Sequence, residues 1–224
     1  MAANFNYNDS LWGAALNGNL DRLREIIEDP QWRQEEINQR NEYGYTALQA
    51  ANFAIPEVVE YLLQKGANPN VYDMNPDSDH RPFLRTPLHD ALHHGNEDSA
   101  ILLIQHGADI TAVDNRGDLP LHLAVQKCSL RVVKVLWNLM ENNHRILRNN
   151  EGKSALDIAR ERNDDASVLA FLQSNANDNS PSSLYQLCRL RIRTSFGRNL
   201  HLLRETLTDI LYPLQVDYLL SVDV

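Results

Sequence analysis

Up to about residue 175, apolar residues come in short runs of helical period, each closed by a turn signal. Val58-Val59-Glu60-Tyr61-Leu62-Leu63, Ala100-Ile101-Leu102-Leu103 and Val132-Val133-Lys134-Val135-Leu136-Trp137 place their apolar residues on one helix face. Gly66-Ala67-Asn68-Pro69-Asn70 and Gly107-Ala108-Asp109 then stop the first two runs. A second, shorter motif precedes each run. It reads Gly44-Tyr45-Thr46-Ala47-Leu48-Gln49, Arg85-Thr86-Pro87-Leu88-His89, Gly117-Asp118-Leu119-Pro120-Leu121-His122 and Gly152-Lys153-Ser154-Ala155-Leu156-Asp157. Positions 46, 86, 119 and 154 correspond, in steps of 40, 33 and 35. A degenerate copy begins at Leu11-Trp12-Gly13-Ala14-Ala15 and runs into Leu23-Arg24-Glu25-Ile26-Ile27. The pattern predicts five copies of a two-helix unit, none of which buries its apolar face alone, so neighbours must stack.

The local chemistry agrees. Thr46 and Thr86 are placed to cap helix N-termini through their hydroxyls, and Pro87 and Pro120 suit a first helical turn. The small Ala50, Ala51 and Ala91 let paired helices approach closely. A period of about 33 residues with a Thr-Pro-Leu-His signature resembles the ankyrin repeat. The resemblance implies an all-α-dominated solenoid with repeats at about 8–40, 41–73, 81–114, 115–149 and 150–173, together spanning 8–173. It also gives His89 and His122 a backbone-bonding role between repeats. His89 and His93 are four apart, but no carboxylate or cysteine completes a metal set, so no metal is expected. The step of 40 is one repeat plus an insertion in Met74–Arg85. It is either a tolerated loop or a lengthened finger that touches a partner, with Phe83 as its exposed contact.

Charge sets the limits on partners. The chain carries a net −9, which argues against nucleic acid. Residues 1–180 hold 16 Lys and Arg against 26 Asp and Glu, whereas 181–200 hold four Arg and no acid, so a domain boundary falls near 180. No apolar run is long enough to span a bilayer and no basic-then-apolar start directs secretion. Cys128 and Cys188 form no framework. These features predict a reduced, cytoplasmic protein, with the nucleus also open to it, and no membrane partner. Gly152-Lys153-Ser154 would need a glycine where Leu147 stands to close a phosphate-binding loop, and Asn8-Asp9-Ser10 is a glycosylation acceptor only on a secretory route. No catalytic residues and no cofactor are expected.

Three further features resemble the ankyrin-type inhibitors of cyclin D-dependent kinases. The second repeat carries Thr46-Ala47-Leu48-Gln49 and reaches Gly66-Ala67 one residue early; the third has His89-Asp90-Ala91; the fourth reads Leu119-Pro120-Leu121-His122-Leu123-Ala124. The resemblance implies a target-binding face with Asp90 and Phe53 as contact positions, to which Phe83 and His93 are added as candidates from this sequence. Asp90 is expected to stand hydrated and unpaired in the concave groove, and Phe53 to lie outside the core.

Residues 174–183 form a polar linker, and 181–224 a separate tail. In Leu184-Tyr185-Gln186-Leu187-Cys188-Arg189-Leu190-Arg191-Ile192-Arg193, Leu184, Cys188 and Ile192 form one apolar row on a helix. The row, its place after the repeats and the closing Asp217-Tyr218-Leu219-Leu220 resemble a SOCS box. That resemblance implies elongin C binding, with its partner elongin B, through Leu184, Leu187, Cys188 and Ile192. It also implies cullin-5 contact through Pro213, Leu214, Tyr218 and Leu219. The cullin half departs from the family pattern: Ile210-Leu211-Tyr212-Pro213-Leu214 keeps one proline, and Leu214 lies one residue further from Tyr218. The alternative for the tail is an apolar cap on the open end of the stack. The expected function is a non-catalytic substrate-recognition adaptor of an elongin–cullin ubiquitin ligase. The rival is a stoichiometric inhibitor of a cyclin-dependent kinase, and a third reading is a plain scaffold.

Overall fold

The structure, a computed structural model, describes residues 10–73, 83–162 and 166–175. Each repeat folds as a pair of helices. In order these are α1 (Leu11–Leu16) with α2 (Leu20–Ile27), α3 (Ala47–Ala50) with α4 (Pro56–Gln64), and α5 (Pro87–His93) with α6 (Glu97–Gln105). Then come α7 (Pro120–Lys127) with α8 (Leu130–Leu139), the short α9 (Asn142–Arg145), and α10 (Ala155–Arg162) with α11 (Ala166–Asn175). A 3-10 helix, Gln34–Asn38, follows the first pair. The described residues contain helices and turns but no strand. The architecture is the expected helical solenoid.

The helices stack in two layers. First helices pack on first helices (α1 on α3, α5 on α7, α7 on α10), and second on second (α2 on α4, α4 on α6, α6 on α8, α8 on α11). Leu23, Leu62, Leu103, Leu136 and Leu172, one from each second helix, have no exposed surface. In the first helices, the small Ala91 and Ala124 are equally buried, and they let α5 and α7 approach. Cys128 closes α7. Its thiol lies 3.7 Å from the Leu92 carbonyl, and burial, helped by Glu97, pushes it up to about 12. Since the thiolate is the nucleophile, Cys128 should resist alkylation at neutral pH until the chain unfolds. Timed iodoacetamide labelling, read by mass spectrometry, checks this; rapid labelling of the native protein would contradict it.

Proline starts α4, α5 and α7, where its missing N–H costs no helical bond. The threonine caps divide. Thr46 Oγ1 accepts the Gln49 N–H at 3.3 Å, as expected. Thr86 Oγ1 instead lies 2.8 Å from His89 Nδ1, which also accepts the Thr86 N–H at 3.2 Å. His89 thus supplies the reciprocal half of a capping box at the start of α5, on the Thr86 N–H.

Asparagines tie successive turns after the second helices. Asn38 bonds the Gly66 carbonyl and the Asn68 N–H, and Asn70 bonds the Gly107 carbonyl and the Asp109 N–H. The next link is missing. Thr111, at the corresponding position, turns its hydroxyl onto Asp109 at 2.7 Å, and α9 takes the place of a glycine turn. A cavity of about 340 Å³ opens at this break, lined by Ile104, Ala108, Ile110, Leu139 and Met140.

Candidate functional site

One register position in the second, third and fourth repeats ties the start of a first helix to the chain that leads into the next repeat. His122 Nδ1 accepts the Leu119 N–H at 2.9 Å, leaving Nε2–H to donate at 3.2 Å to the Leu147 carbonyl, where the chain passes into the next repeat. His89 does the same, with its Nε2 at 3.3 Å from the Asp118 carbonyl. In the second repeat Gln49 replaces histidine: its Oε1 accepts the Thr46 N–H at 3.0 Å and its Nε2 donates to the Val71 carbonyl at 3.1 Å. In the fifth repeat Asp157 accepts from Ser154 Oγ at 2.7 Å and, lacking a donor, reaches no further carbonyl. The Gln49 and Asp157 roles follow from aligning the four motifs, because only a side chain with an acceptor and a donor can serve both neighbours. With both nitrogens of His89 on backbone partners, the spacing of His89 and His93 makes no metal pair.

The fingers between repeats are closed by an Asx residue. Asn41, Asp114 and Asn149 each donate an N–H to the carbonyl four residues on and accept back on the side chain. Asp73 makes the same closure across the insertion. Its N–H donates to the Arg85 carbonyl at 2.9 Å, and its Oδ1 accepts the Arg85 N–H at 2.7 Å. The extra residues thus leave from a base of ordinary geometry, which is why the stack tolerates them. Gly117 marks how closely fingers approach: at φ +73° a Cβ there would lie 2.7 Å from Asn150 Oδ1. Phe83 is half exposed, under the Arg85 guanidinium at 5.2 Å, and its carbonyl accepts the Asn115 N–H at 2.8 Å.

Two expectations for the target face need correcting. Phe53 is 7% exposed and belongs to the core, not to the face. The reason is local. Four-residue α3 does not pack along α5 as α5 does along α7, and the segment after it fills the gap. The Phe53 carbonyl is held there by Ser99 Oγ at 2.6 Å. Asp90 is neither unpaired nor fully hydrated. Its side chain is 24% exposed, and Oδ1 lies 3.8 Å from Arg85 Nη1. Burial raises the Tyr45 phenol, and Asp73 and Asp90 nearby add to the rise. Arg85 and Tyr45 therefore belong to this site. No spacing rule pointed to them, since they arrive from fingers rather than from the helix bearing Asp90. His93, half-buried at the end of α5, meets His94 edge to face at 5.3 Å.

Burial pushes the Asp90 carboxyl up to about 6; Arg85 opposes the rise and Asp73 adds to it. An unfolded aspartate titrates at about 3.9. Below about pH 4 both states are protonated; as pH rises through 6 the unfolded chain ionises first, so stability falls. Asp90→Asn should therefore flatten the stability profile between about pH 4 and pH 7. Carboxyl-carbon NMR gives the titration and urea unfolding the profile. An Asp90 midpoint in the ordinary aspartate range would sink the prediction.

The tail residues Leu184, Leu187, Cys188, Ile192, Pro213, Leu214, Tyr218 and Leu219, and most of the Met74–Arg85 insertion, lie outside the described residues. Among the described residues no helix is long and apolar enough to cross a membrane, and no three potential metal ligands cluster.

Comparison with known proteins places this geometry. A family described as "Ankyrin repeats (3 copies)" matches residues 72–146, and one described as "Ankyrin repeat" matches 43–74. Ankyrin repeat and SOCS box protein 11 of Mus musculus is 35% identical over 147 residues, 65% of this chain and 40% of that protein. Cyclin-dependent kinase 4 inhibitor B of Homo sapiens is 32% identical over 122 residues, 53% of this chain and 78% of that protein. The inhibitor B of Bos taurus is 30% identical over 129 residues, with 88% of its length covered. This chain spans about two fifths of the length of the SOCS box relatives it matches. From the stacked helix pairs, the recurring hydrogen-bond register and these matches, the chain belongs to the ankyrin-repeat family.

Proposed function

We propose that the chain is a non-catalytic recognition adaptor of an elongin–cullin ubiquitin ligase. The repeats hold a target protein, and residues 181–224 hold elongin C with elongin B. The observation that carries this reading is the Leu184, Cys188 and Ile192 row placed just after a repeat stack similar to an ankyrin repeat and SOCS box protein. Elongin contact falls to Leu184, Leu187, Cys188 and Ile192. Cullin-5 contact falls to Pro213, Leu214, Tyr218 and Leu219, and is the weaker of the two, because a single proline leaves the approach to Tyr218 less restrained in φ. A misplaced apolar anchor removes one or more kcal/mol, roughly a tenfold loss. The test is co-purification with elongins B and C, followed by titration of cullin-5 against the assembled complex. Absence of elongins refutes the adaptor; cullin-5 affinity equal to that of an intact SOCS box refutes the weakened contact.

A second reading has its own support, since the stack covers 78–88% of the length of the kinase 4 inhibitor B relatives cited above. In that reading the chain inhibits a cyclin-dependent kinase stoichiometrically, with Asp90, His93 and Phe83 on the kinase side. A kinase assay titrated with the chain separates the two, because an adaptor without its ligase leaves kinase activity unchanged.

A further inference from the structure

The cavity at the break in the asparagine ladder lies between the C-terminal ends of α6 and α8. Its buried lining is apolar, from Ile104, Ile110 and Met140. Its exposed lining is acidic: Asp109 stands on the α6 side and Glu141 on the α8 side, with no lysine or arginine among the lining residues. Neither carboxylate pairs with a lysine or arginine among the described residues. Asp109 Oδ1 accepts the Thr111 hydroxyl at 2.7 Å, and Glu141 has only His144 Nδ1, at 4.0 Å. At about 340 Å³ the cavity admits an apolar side chain but not a whole helix.

The last described helix leads toward this place. The Phe171 ring of α11 meets Trp137 of α8 edge to face at 6.0 Å, and the Arg145 guanidinium lies over the same Trp137 at 5.0 Å. Arg145 follows His144, which lines the cavity. Asn175, where the described chain stops, bonds the Phe171 carbonyl at 2.7 Å. Leu184 is nine residues further on, a reach of about 30 Å when extended. The segment it opens has the complementary pattern: residues 181–200 hold four Arg and no acid, and the apolar row ends in Arg191-Ile192-Arg193, an apolar residue between two cations. Opposite charges on both edges of an apolar hole select a segment and set its register.

We propose that this cavity is the docking site for the chain's own residues 184–193, with Ile192 entering beside Ile110 and Met140 and with Arg191 and Arg193 pairing with Asp109 and Glu141. A tethered segment has the advantage over a free partner, because a short linker holds it at an effective concentration on the order of millimolar. Ile192 is also an elongin C contact in the adaptor reading, so the two uses exclude each other and elongin B–C must lift the segment from the stack. That consequence rests on the adaptor reading; the docking does not.

The test uses Cys188, four residues before Ile192 on the predicted helix, as a native reporter in the full chain. Thr111→Cys places a thiol at the cavity, and Glu161→Cys places one on an exposed position nearer to Cys188 along the chain; Cys128 is buried and takes no part. Under mild oxidation the Thr111→Cys chain should form its disulfide with Cys188 about tenfold faster or more, although tethering alone favours the Glu161→Cys chain. Arg191→Glu with Arg193→Glu, or high salt, should remove that preference. Peptide mapping by mass spectrometry identifies the link. Equal rates at the two positions, a preference that survives the double arginine variant, or a link between two chains in place of one within a chain overturns the proposal. Elongin B–C added before oxidation should slow the link. A chain that binds elongin but shows no preference for Thr111→Cys overturns this inference alone, and one that shows the preference but binds no elongin overturns the adaptor alone.

Discussion

Replacing His122 by alanine is expected to destabilise the stack by about 2–5 kcal/mol, because a buried ring, its bond to a buried N–H and its bond to the Leu147 carbonyl are lost at once. The ring is 1% exposed, and the buried Leu119 N–H is left without a partner when it is removed. His89→Ala should behave alike, since that ring is fully buried between Thr86 and Asp118. Glutamine is the informative replacement. Gln49 already performs the task in the second repeat, so His122→Gln should recover most of the loss.

Acid separates the two side chains. Burial lowers the pKa of both His89 and His122, against the pull of Asp114 on His89 and of Asp118 on His122. The unfolded histidines take up protons first, so their share of stability is complete above about pH 6.5 and is lost as pH falls below it. Asp90 acts with the opposite sign over part of this range, so each variant must be compared with wild type at the same pH. Urea unfolding at about pH 7.5 and about pH 5.5 tests the account: the margin of wild type over His122→Gln should shrink in acid. A glutamine variant as damaged as alanine, or a margin independent of pH, would show that the ring packs but does not bridge.

Leu184→Ala is expected to weaken elongin C binding by about a hundredfold. Removing a leucine from a tight pocket loses about 2–5 kcal/mol, and about 2.8 kcal/mol is already a factor of a hundred. Elongin B–C is titrated calorimetrically into wild type and variant. Equal affinities would return the apolar row of Leu184, Cys188 and Ile192 to the alternative of a cap on the open end of the stack.

Much of the fold was legible because repeats restate their own grammar. Periodicity located the helix pairs, and the resemblance to the ankyrin repeat implied the bridging role of His89 and His122. The site was less legible, because its environment comes from neighbouring repeats. Phe53 reads as a face residue until the shortness of α3 opens a gap for it to fill. Asp90 reads as a free carboxylate until Arg85 is brought beside it from the base of the inserted finger. A one-dimensional pattern reports which face of a helix a residue takes, not what the next finger lays over it.

The adaptor reading is tested most directly by calorimetric titration of elongin B–C into the full chain and into a chain ending at Asn175. One-to-one binding by the full chain and none by the shortened one is the predicted result. No binding by the full chain, or equal binding by both, would contradict it.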